Sequence, residues 1–199
     1  MRLTNSRYEE IKKEIANVIE DYNITSFPVN VFELANKMGI KIVYASSIID
    51  KNPGKVDEYF FLRLPDAYLQ IDKREGEIKM YVDNLGTRVS RQRFSIAHEI
   101  MHFILNHREQ NEKNESEANF GATYMLAPTS VSLIPGAYDE LYRDLSKISP
   151  FFGISLQTAR ITMRYVDNRI QYGPKYVLSY EKTINEHFEK EVKEKLKLD

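Results

Sequence analysis

The chain has 199 residues, 42% of them hydrophobic, and its 28 Lys and Arg residues nearly balance its 29 Asp and Glu residues. This composition is typical of one folded domain, or of one domain with a small appendage, and excludes a disordered tail. A formal net charge of −1 excludes an overall electrostatic attraction to nucleic acid or to an anionic membrane. We therefore expect no direct binding of nucleic acid and no membrane association.

The chain contains no cysteine. Disulfides and thiolate-bound zinc are therefore excluded, and any metal must be held by histidine and carboxylate ligands. The first residues, 1–6, lack the apolar core of a signal peptide, and no apolar run is long enough to span a bilayer. These features predict a cytoplasmic protein.

The N-terminal part of the chain predicts two helices and a strand. Apolar residues at three- and four-residue spacing predict an amphipathic helix over residues 6–22. Pro28 predicts the start of a second helix, 29–38, which Gly39 would end. The β-branched stretch 40–44 predicts a short strand.

A group of short strands is predicted to follow. A turn at residues 52–54 precedes three candidate strands, 56–63, 67–72 and 77–82. The last two flank residues 73–76, a sequence typical of a tight hairpin. We expect strand 77–82 to be an edge strand on which an extended substrate could pair. A role as an ordinary core strand is equally consistent with the sequence.

The rest of the chain is predominantly helical by its periodicity. A helix over 89–105 is followed by a polar stretch, 106–116, and by a second helix, 116–126. Further helices are predicted over 130–135, 138–149 and 155–168, with an extended piece at 175–179 and an amphipathic tail at 181–197. The expected segments are an N-terminal helix (1–24), a core (25–135) and a C-terminal helical extension packed on the core (136–199).

The segment 98–102 reads His-Glu-Ile-Met-His. Residues four apart lie on one face of a helix, so His98 and His102 can bind one tetrahedral zinc ion. Glu99 lies beside them, where it can take a proton from a water molecule that attacks a peptide carbonyl. The alternative is a pair of core histidines with ordinary hydrogen-bond partners. We favour a metal because polar side chains on so apolar a helix are costly unless something pairs with them.

A catalytic zinc site needs a third protein ligand. Glu117, near the start of the next helix, is our first choice, because Gly121 one turn later would let the two helices approach closely. Glu115 is the alternative. His107 is a competing ligand that could bind only if the first helix unwinds after Leu105.

Two blocks together resemble the ImmA/IrrE family of bacterial and phage metallopeptidases. The first is residues 91–102, Arg-Gln-Arg-Phe-Ser-Ile-Ala-His-Glu-Ile-Met-His, and the second is residues 117–128, Glu-Ala-Asn through Leu-Ala-Pro. The likeness extends over roughly residues 25–165. The family often has glycine where this chain has Met101, and phenylalanine where it has Gly121.

The resemblance implies an α+β, zincin-like metallopeptidase core with a small mixed or antiparallel sheet, an active-site helix pair and additional helices. It also implies a zinc-dependent endopeptidase that acts on a helix-turn-helix repressor, with an anti-repressor role. By position, His98, His102 and Glu117 would be the zinc ligands and Glu99 the general base.

Two other interpretations remain open. In the first, the chain is a non-catalytic, zinc-containing binding partner of a repressor or antitoxin. In the second, residues 145–165 form two helices joined by a glycine turn, and Arg160, Arg164 and Arg169 give a DNA-binding helix-turn-helix some positive charge. We favour a packing role for this segment, because Pro150 disrupts its first helix and the chain has no basic excess. Tyr124 is a candidate electrophile for the oxyanion, although we favour a packing or surface role on its helical spacing.

Overall fold

The structure is a computed structural model that describes residues 3–51, 66–72 and 74–198. In this part of the chain a small mixed sheet packs against helices, which is the predicted α+β architecture. The predicted turn at 52–54 and the predicted strand at 56–63 lie outside the described residues.

The first helix, α1, spans Asn5–Asp21 and confirms the predicted amphipathic helix. It begins where the side chain of Thr4 accepts a hydrogen bond from the amide of Arg7, which satisfies one of the free amides of the first turn. Its buried face carries the predicted apolar stripe, which includes Ile11, Ile15, Val18 and Ile19.

The second helix, α2, spans Val31–Lys37 and starts two residues later than predicted. The reason is the side chain of Asn30, which caps the helix by accepting a hydrogen bond from the amide of Glu33 at 3.2 Å. Gly39 follows the helix with a φ of +76°, a backbone conformation that glycine adopts without strain.

Three strands form the described sheet: β1 (Ile40–Tyr44), β2 (Ala67–Asp72) and β3 (Glu77–Val82). Their order is β1-β3-β2, with β1 parallel and β2 antiparallel to β3. The predicted hairpin is thus confirmed, but the prediction that strand 77–82 lies at an edge is wrong. That strand is central because β1 pairs with its other side, a long-range contact that periodicity does not reveal. Between β1 and β2 the chain forms an unpredicted helix, α3 (Ala45–Lys51).

Two helices form the centre of the molecule, α4 (Val89–Ile104) and α5 (Glu112–Leu126). Helix α4 agrees with the prediction to within one residue. Helix α5 begins four residues earlier than predicted, because the side chain of Asn111 accepts a hydrogen bond from the amide of Asn114 at 2.9 Å. The first turn of α5 is polar because it is largely exposed, and for this reason its sequence resembles that of a loop.

The C-terminal part is helical, as predicted, but with different bounds. It contains a 3-10 helix (Thr129–Leu133), a π-helical turn (Tyr138–Tyr142) and the helices α6 (Leu145–Phe152), α7 (Leu156–Tyr172) and α8 (Ser179–Leu196). The single helix predicted over 138–149 is therefore two elements. The extended piece predicted at 175–179 does not form a strand.

The buried residues of the N-terminal helix, of the central helices and of the C-terminal helices belong to one hydrophobic cluster. Helix α8 packs against α1 and the 3-10 helix through the stripe that the sequence shows, since Ile184, Phe188 and Val192 are fully buried. Among the described residues, no helix combines the length and the apolar character that crossing a bilayer requires.

The contact between α4 and α5 is unusually close at Gly121. A methyl group added at Gly121 would lie 2.6 Å from Cε and 2.8 Å from Cγ of Met101 on the facing helix. Both residues are fully buried, so the added group has no free space to occupy. The expectation that Gly121 permits a close helix approach is confirmed, and Met101 is the side chain that uses the space.

The Gly121→Ala variant should lower the free energy of unfolding by about 1–3 kcal/mol, because the added methyl overfills a packed contact. The measurement is chemical denaturation of the variant beside the parent chain. In a Met101→Ala background the same substitution should cost much less, because the clashing side chain has been removed. Equal costs in the two backgrounds would contradict this account of the contact.

Candidate functional site

Helix α4 brings His98, Glu99 and His102 together on one side of the molecule. One potential ligand atom from each of these residues lies within 4.8 Å of the others. The Nε2 atoms of the two histidines are 2.9 Å apart, which is the arrangement expected for residues one helical turn apart. The two imidazoles are thus directed at a common point.

The cluster lies in a cleft of about 630 Å³, within the size range of ligand sites. Its walls are formed by strand β2, by α4, by the loop 106–110 and by the first turns of α5. Apolar side chains on these walls are Leu69, Ile71, Phe94 and Phe103. The cleft is therefore lined by apolar side chains together with the histidine pair.

Glu115 is the carboxylate that the structure brings to the two histidines. Its Oε2 lies 3.3 Å from Nε2 of His98, and its Oε1 lies 3.5 Å from Nε2 of His102. Ligand atoms on a tetrahedral zinc ion, with bonds of about 2.0–2.1 Å, lie about 3.3 Å apart. The two distances from Glu115 match this spacing, and the two Nε2 atoms, at 2.9 Å, are somewhat closer than it. Two imidazole nitrogens and a carboxylate are a donor set whose chemistry fits zinc.

Glu117, our first choice as third ligand, lies elsewhere in the structure. Its side chain is 1% exposed, and its Oε2 accepts hydrogen bonds from Arg7 at 2.6 Å and from His107 at 3.1 Å. Burial raises its pKa, but these two hydrogen bonds outweigh burial and hold the pKa below its ordinary value. These distances favour the alternative, Glu115, because Glu117 is two residues further along α5 and points towards α1.

His107 lies next to His102, on the side of that ring that faces away from His98. Helix α4 ends at Ile104, and Asn106 adopts a left-handed φ of +52°, so the chain turns back as the competing prediction required. Nδ1 of His107 then lies 2.9 Å from Nδ1 of His102, the nitrogen that faces away from His98. In this position His107 contacts the candidate ligand His102.

The two histidines are neutral near pH 7. Burial lowers the pKa of His98 below its ordinary value. Burial, together with the charge that His98 would carry, lowers the pKa of His102 to about 4. A neutral imidazole offers a lone pair to a metal, so no proton must leave these ligands at pH 7.

Glu99 lies on the wall of the cleft and is anchored to the sheet. Its Oε2 accepts a hydrogen bond of 3.0 Å from the amide of Leu69, on the side of β2 that faces away from β3. Burial raises the pKa of Glu99 to about 7, despite this hydrogen bond. A carboxyl group poised near neutral pH suits a general base.

Tyr124 is not in the cleft. It is 1% exposed inside the core, which supports the packing role. The tyrosine that lines the cleft is Tyr68 on β2, stacked on Tyr81 of β3 at 4.8 Å between ring centroids. Sequence reasoning missed Tyr68, the amide of Leu69 and Arg7. The sequence predicted a strand at 67–72 but assigned the substrate edge to strand 77–82, and no signal pointed to Arg7.

The segment 145–165 does form two helices, α6 and α7, joined at Gly153 with a φ of +61°. However, Arg169 is unable to serve as a free positive charge. It is 9% exposed and forms a bidentate ion pair with the more deeply buried Glu181, at 2.6 and 2.7 Å. Arg160 and Arg164 are exposed, so the segment presents less positive charge than the sequence suggested, and its packing role stays a prediction.

A comparison with curated proteins found no match to the chain. A comparison with protein-family models matched residues 66–164, about half of the chain, to Peptidase_M78, described as the IrrE N-terminal-like domain. The matched segment contains β2, β3, the helix pair α4–α5 and every residue that lines the cleft. This match indicates a metallopeptidase-type function, and the chain belongs to the ImmA/IrrE family.

Proposed function

We propose that the chain is a zinc-dependent endopeptidase in which His98, His102 and Glu115 hold the metal and Glu99 is the general base. The observation that carries this proposal is the convergence of the three donor groups on one point of the cleft. The carboxylate of Glu99 lies beside them, within 4.8 Å of the histidine ligand atoms. Three protein ligands with an open fourth position are typical of catalytic zinc.

A bound zinc ion would supply Lewis acidity at this point. The protein's own contribution is the placement of Glu99. Its Oε2 is held by the amide of Leu69, and its Oε1 has no hydrogen-bond partner within the described ranges. Glu99 Oε1 can therefore accept the proton of an attacking water molecule and return it to the amide nitrogen as the C–N bond breaks.

The free side of β2 supports an extended peptide as substrate. Because the amide of Leu69 faces away from β3, the backbone groups of Ala67 and Ile71 share that side of the strand. In the described part of the chain β2 pairs with β3 alone. We propose that the substrate lies along this edge by β-augmentation, in place of the strand 77–82 that the sequence suggested.

We also propose that the substrate is a helix-turn-helix transcriptional repressor in the cytoplasm, as the family resemblance implies. The balanced charge of the chain and the buried ion pair of Arg169 are consistent with action on the repressor rather than on DNA. Co-incubation with candidate repressors, with and without a chelator, tests this substrate class. Cleavage that persists after removal of the metal would contradict the proposal.

The Glu99→Gln variant should retain its zinc and lose cleavage, by at least about 100-fold, because general-base catalysis contributes about 10²–10⁴-fold. Metal content and peptide cleavage are measured on the same sample. Glu75→Gln, an exposed change in the β2–β3 hairpin, is the matched control and should behave as the parent chain. Full biological effect without cleavage would instead support a non-catalytic partner of a repressor.

The metal-free chain should show a pH dependence that Glu99 controls. Since the pKa of Glu99 is about 7 in the folded state and 4.5 otherwise, the folded chain binds more protons between these values, and stability falls as pH rises through this window. Each pKa unit corresponds to about 1.4 kcal/mol, so Glu99→Gln should stabilise the metal-free chain by about 3 kcal/mol at pH 8. Below pH 4.5 the substitution should have little effect on stability. Thermal unfolding at several pH values, with chelator present, measures this. An equal effect at both pH values would show that Glu99 is not the titrating group.

The third ligand can be identified by comparing two similar substitutions on α5. Glu115→Gln should weaken zinc binding by more than about 100-fold, because loss of a direct ligand exceeds the 10–100-fold effect of outer-shell changes. Glu117→Gln should have the smaller effect. Competitive titration against a chromophoric chelator gives both values. The reverse order would restore Glu117 as the ligand.

A further inference from the structure

Four side chains form a continuous line that starts at the metal site and ends on the N-terminal helix. Nδ1 of His102 lies 2.9 Å from Nδ1 of His107, and Nε2 of His107 lies 3.1 Å from Oε2 of Glu117. The same oxygen accepts a hydrogen bond of 2.6 Å from Nη2 of Arg7. The side chains of His107 and Glu117 are 6% and 1% exposed, so water does not compete for these contacts.

The direction of the hydrogen bonds follows from the ends of the line. Nε2 of His102 faces His98 and Glu115, so its lone pair is needed there and the proton belongs on Nδ1. Nδ1 of His102 then donates to Nδ1 of His107, which leaves the His107 proton on Nε2 to be donated to Glu117. Every group in the line has one consistent role, and that assignment selects the His102 tautomer that can bind a metal.

Arg7 holds the carboxylate at the far end of this line. A buried carboxylate is costly unless it is paired, and the other nearby cation, Lys113, is 3.8 Å from Oε1 of Glu117. Helix α1 fixes the position of Arg7 through its neighbour Tyr8, whose ring packs edge-on against Phe120 of α5 at 4.5 Å. Arg7 lies 110 residues from Glu117 and outside the matched segment 66–164.

We infer that Arg7 is a positioning residue for the metal site, which orients His102 through Glu117 and His107, so that the N-terminal helix is part of the site. The inference rests on the proposed function, because it assumes that His102 binds zinc through Nε2. It assigns to Glu117 the role of supporting a ligand rather than of being one. Carboxylates that act on a metal-bound histidine in this way affect metal affinity about 10–100-fold.

The test uses the full chain and measures zinc affinity directly, by competition with a chromophoric chelator. Arg7→Met should weaken zinc binding about 10-fold, and Arg7→Lys, which keeps the charge, should restore most of that loss. The matched control is Glu10→Gln. Glu10 is the other, exposed partner of Arg7, at 2.9 Å, and does not contact Glu117, so this variant should bind zinc as the parent chain does.

Two further measurements separate positioning from simple stabilisation. The absorption spectrum of the Co²⁺-substituted chain should change in Arg7→Met, because the orientation of a histidine ligand alters the ligand field. The double variant Arg7→Met/Glu117→Gln should lose no more zinc affinity than the single variant with the larger loss, since both substitutions break the same line of contacts.

An unchanged zinc affinity and an unchanged Co²⁺ spectrum in Arg7→Met would overturn the inference, even if thermal unfolding showed a less stable chain. A loss in Glu10→Gln equal to that in Arg7→Met would overturn it as well, because the effect would then not pass through Glu117. If the parent chain binds no zinc, the proposed function and this inference both fail. If the parent chain binds zinc and Arg7→Met has no effect, only the inference fails.

Discussion

The close contact between α4 and α5 is the constraint on which the site depends. The two histidines stand on one helix and Glu115 on the other, so the distance between the helices sets the distance between the ligands. Gly121 permits this spacing because Met101 occupies the place that a β-carbon would take. A densely packed protein interior transmits a change of side-chain volume to its surroundings. The contact between Gly121 and Met101 therefore controls the distances between the ligand atoms on the two helices.

Charged groups near the site are stabilised by partners from distant elements. Glu99 is held by the amide of Leu69 on the sheet, and Glu117 by Arg7 on the N-terminal helix. Burial raises the pKa of Glu99 to about 7, whereas Arg7 and His107 keep the pKa of Glu117 low despite its burial. The two glutamates thus have different protonation behaviour, which suits Glu99 for proton transfer and Glu117 for a fixed negative charge.

Much of the fold was predictable because it follows from local patterns. The spacing of apolar residues in α1 and α4, and the alternation in β2 and β3, predicted these elements to within one or two residues. The errors have physical causes. Asn30 and Asn111 cap their helices at positions that apolar periodicity does not mark, and β3 is central because β1, far away in the sequence, pairs with it.

The sequence by itself determined that His98 and His102 share a helix face with Glu99 beside them, because i and i+4 positions coincide on any α-helix. Only the tertiary structure decided which carboxylate joins them. Glu115 and Glu117 differ by two positions on α5, a rotation of about 200° at 3.6 residues per turn. The way α5 packs on α4 and α1 therefore directs Glu115 to the histidines and Glu117 to Arg7.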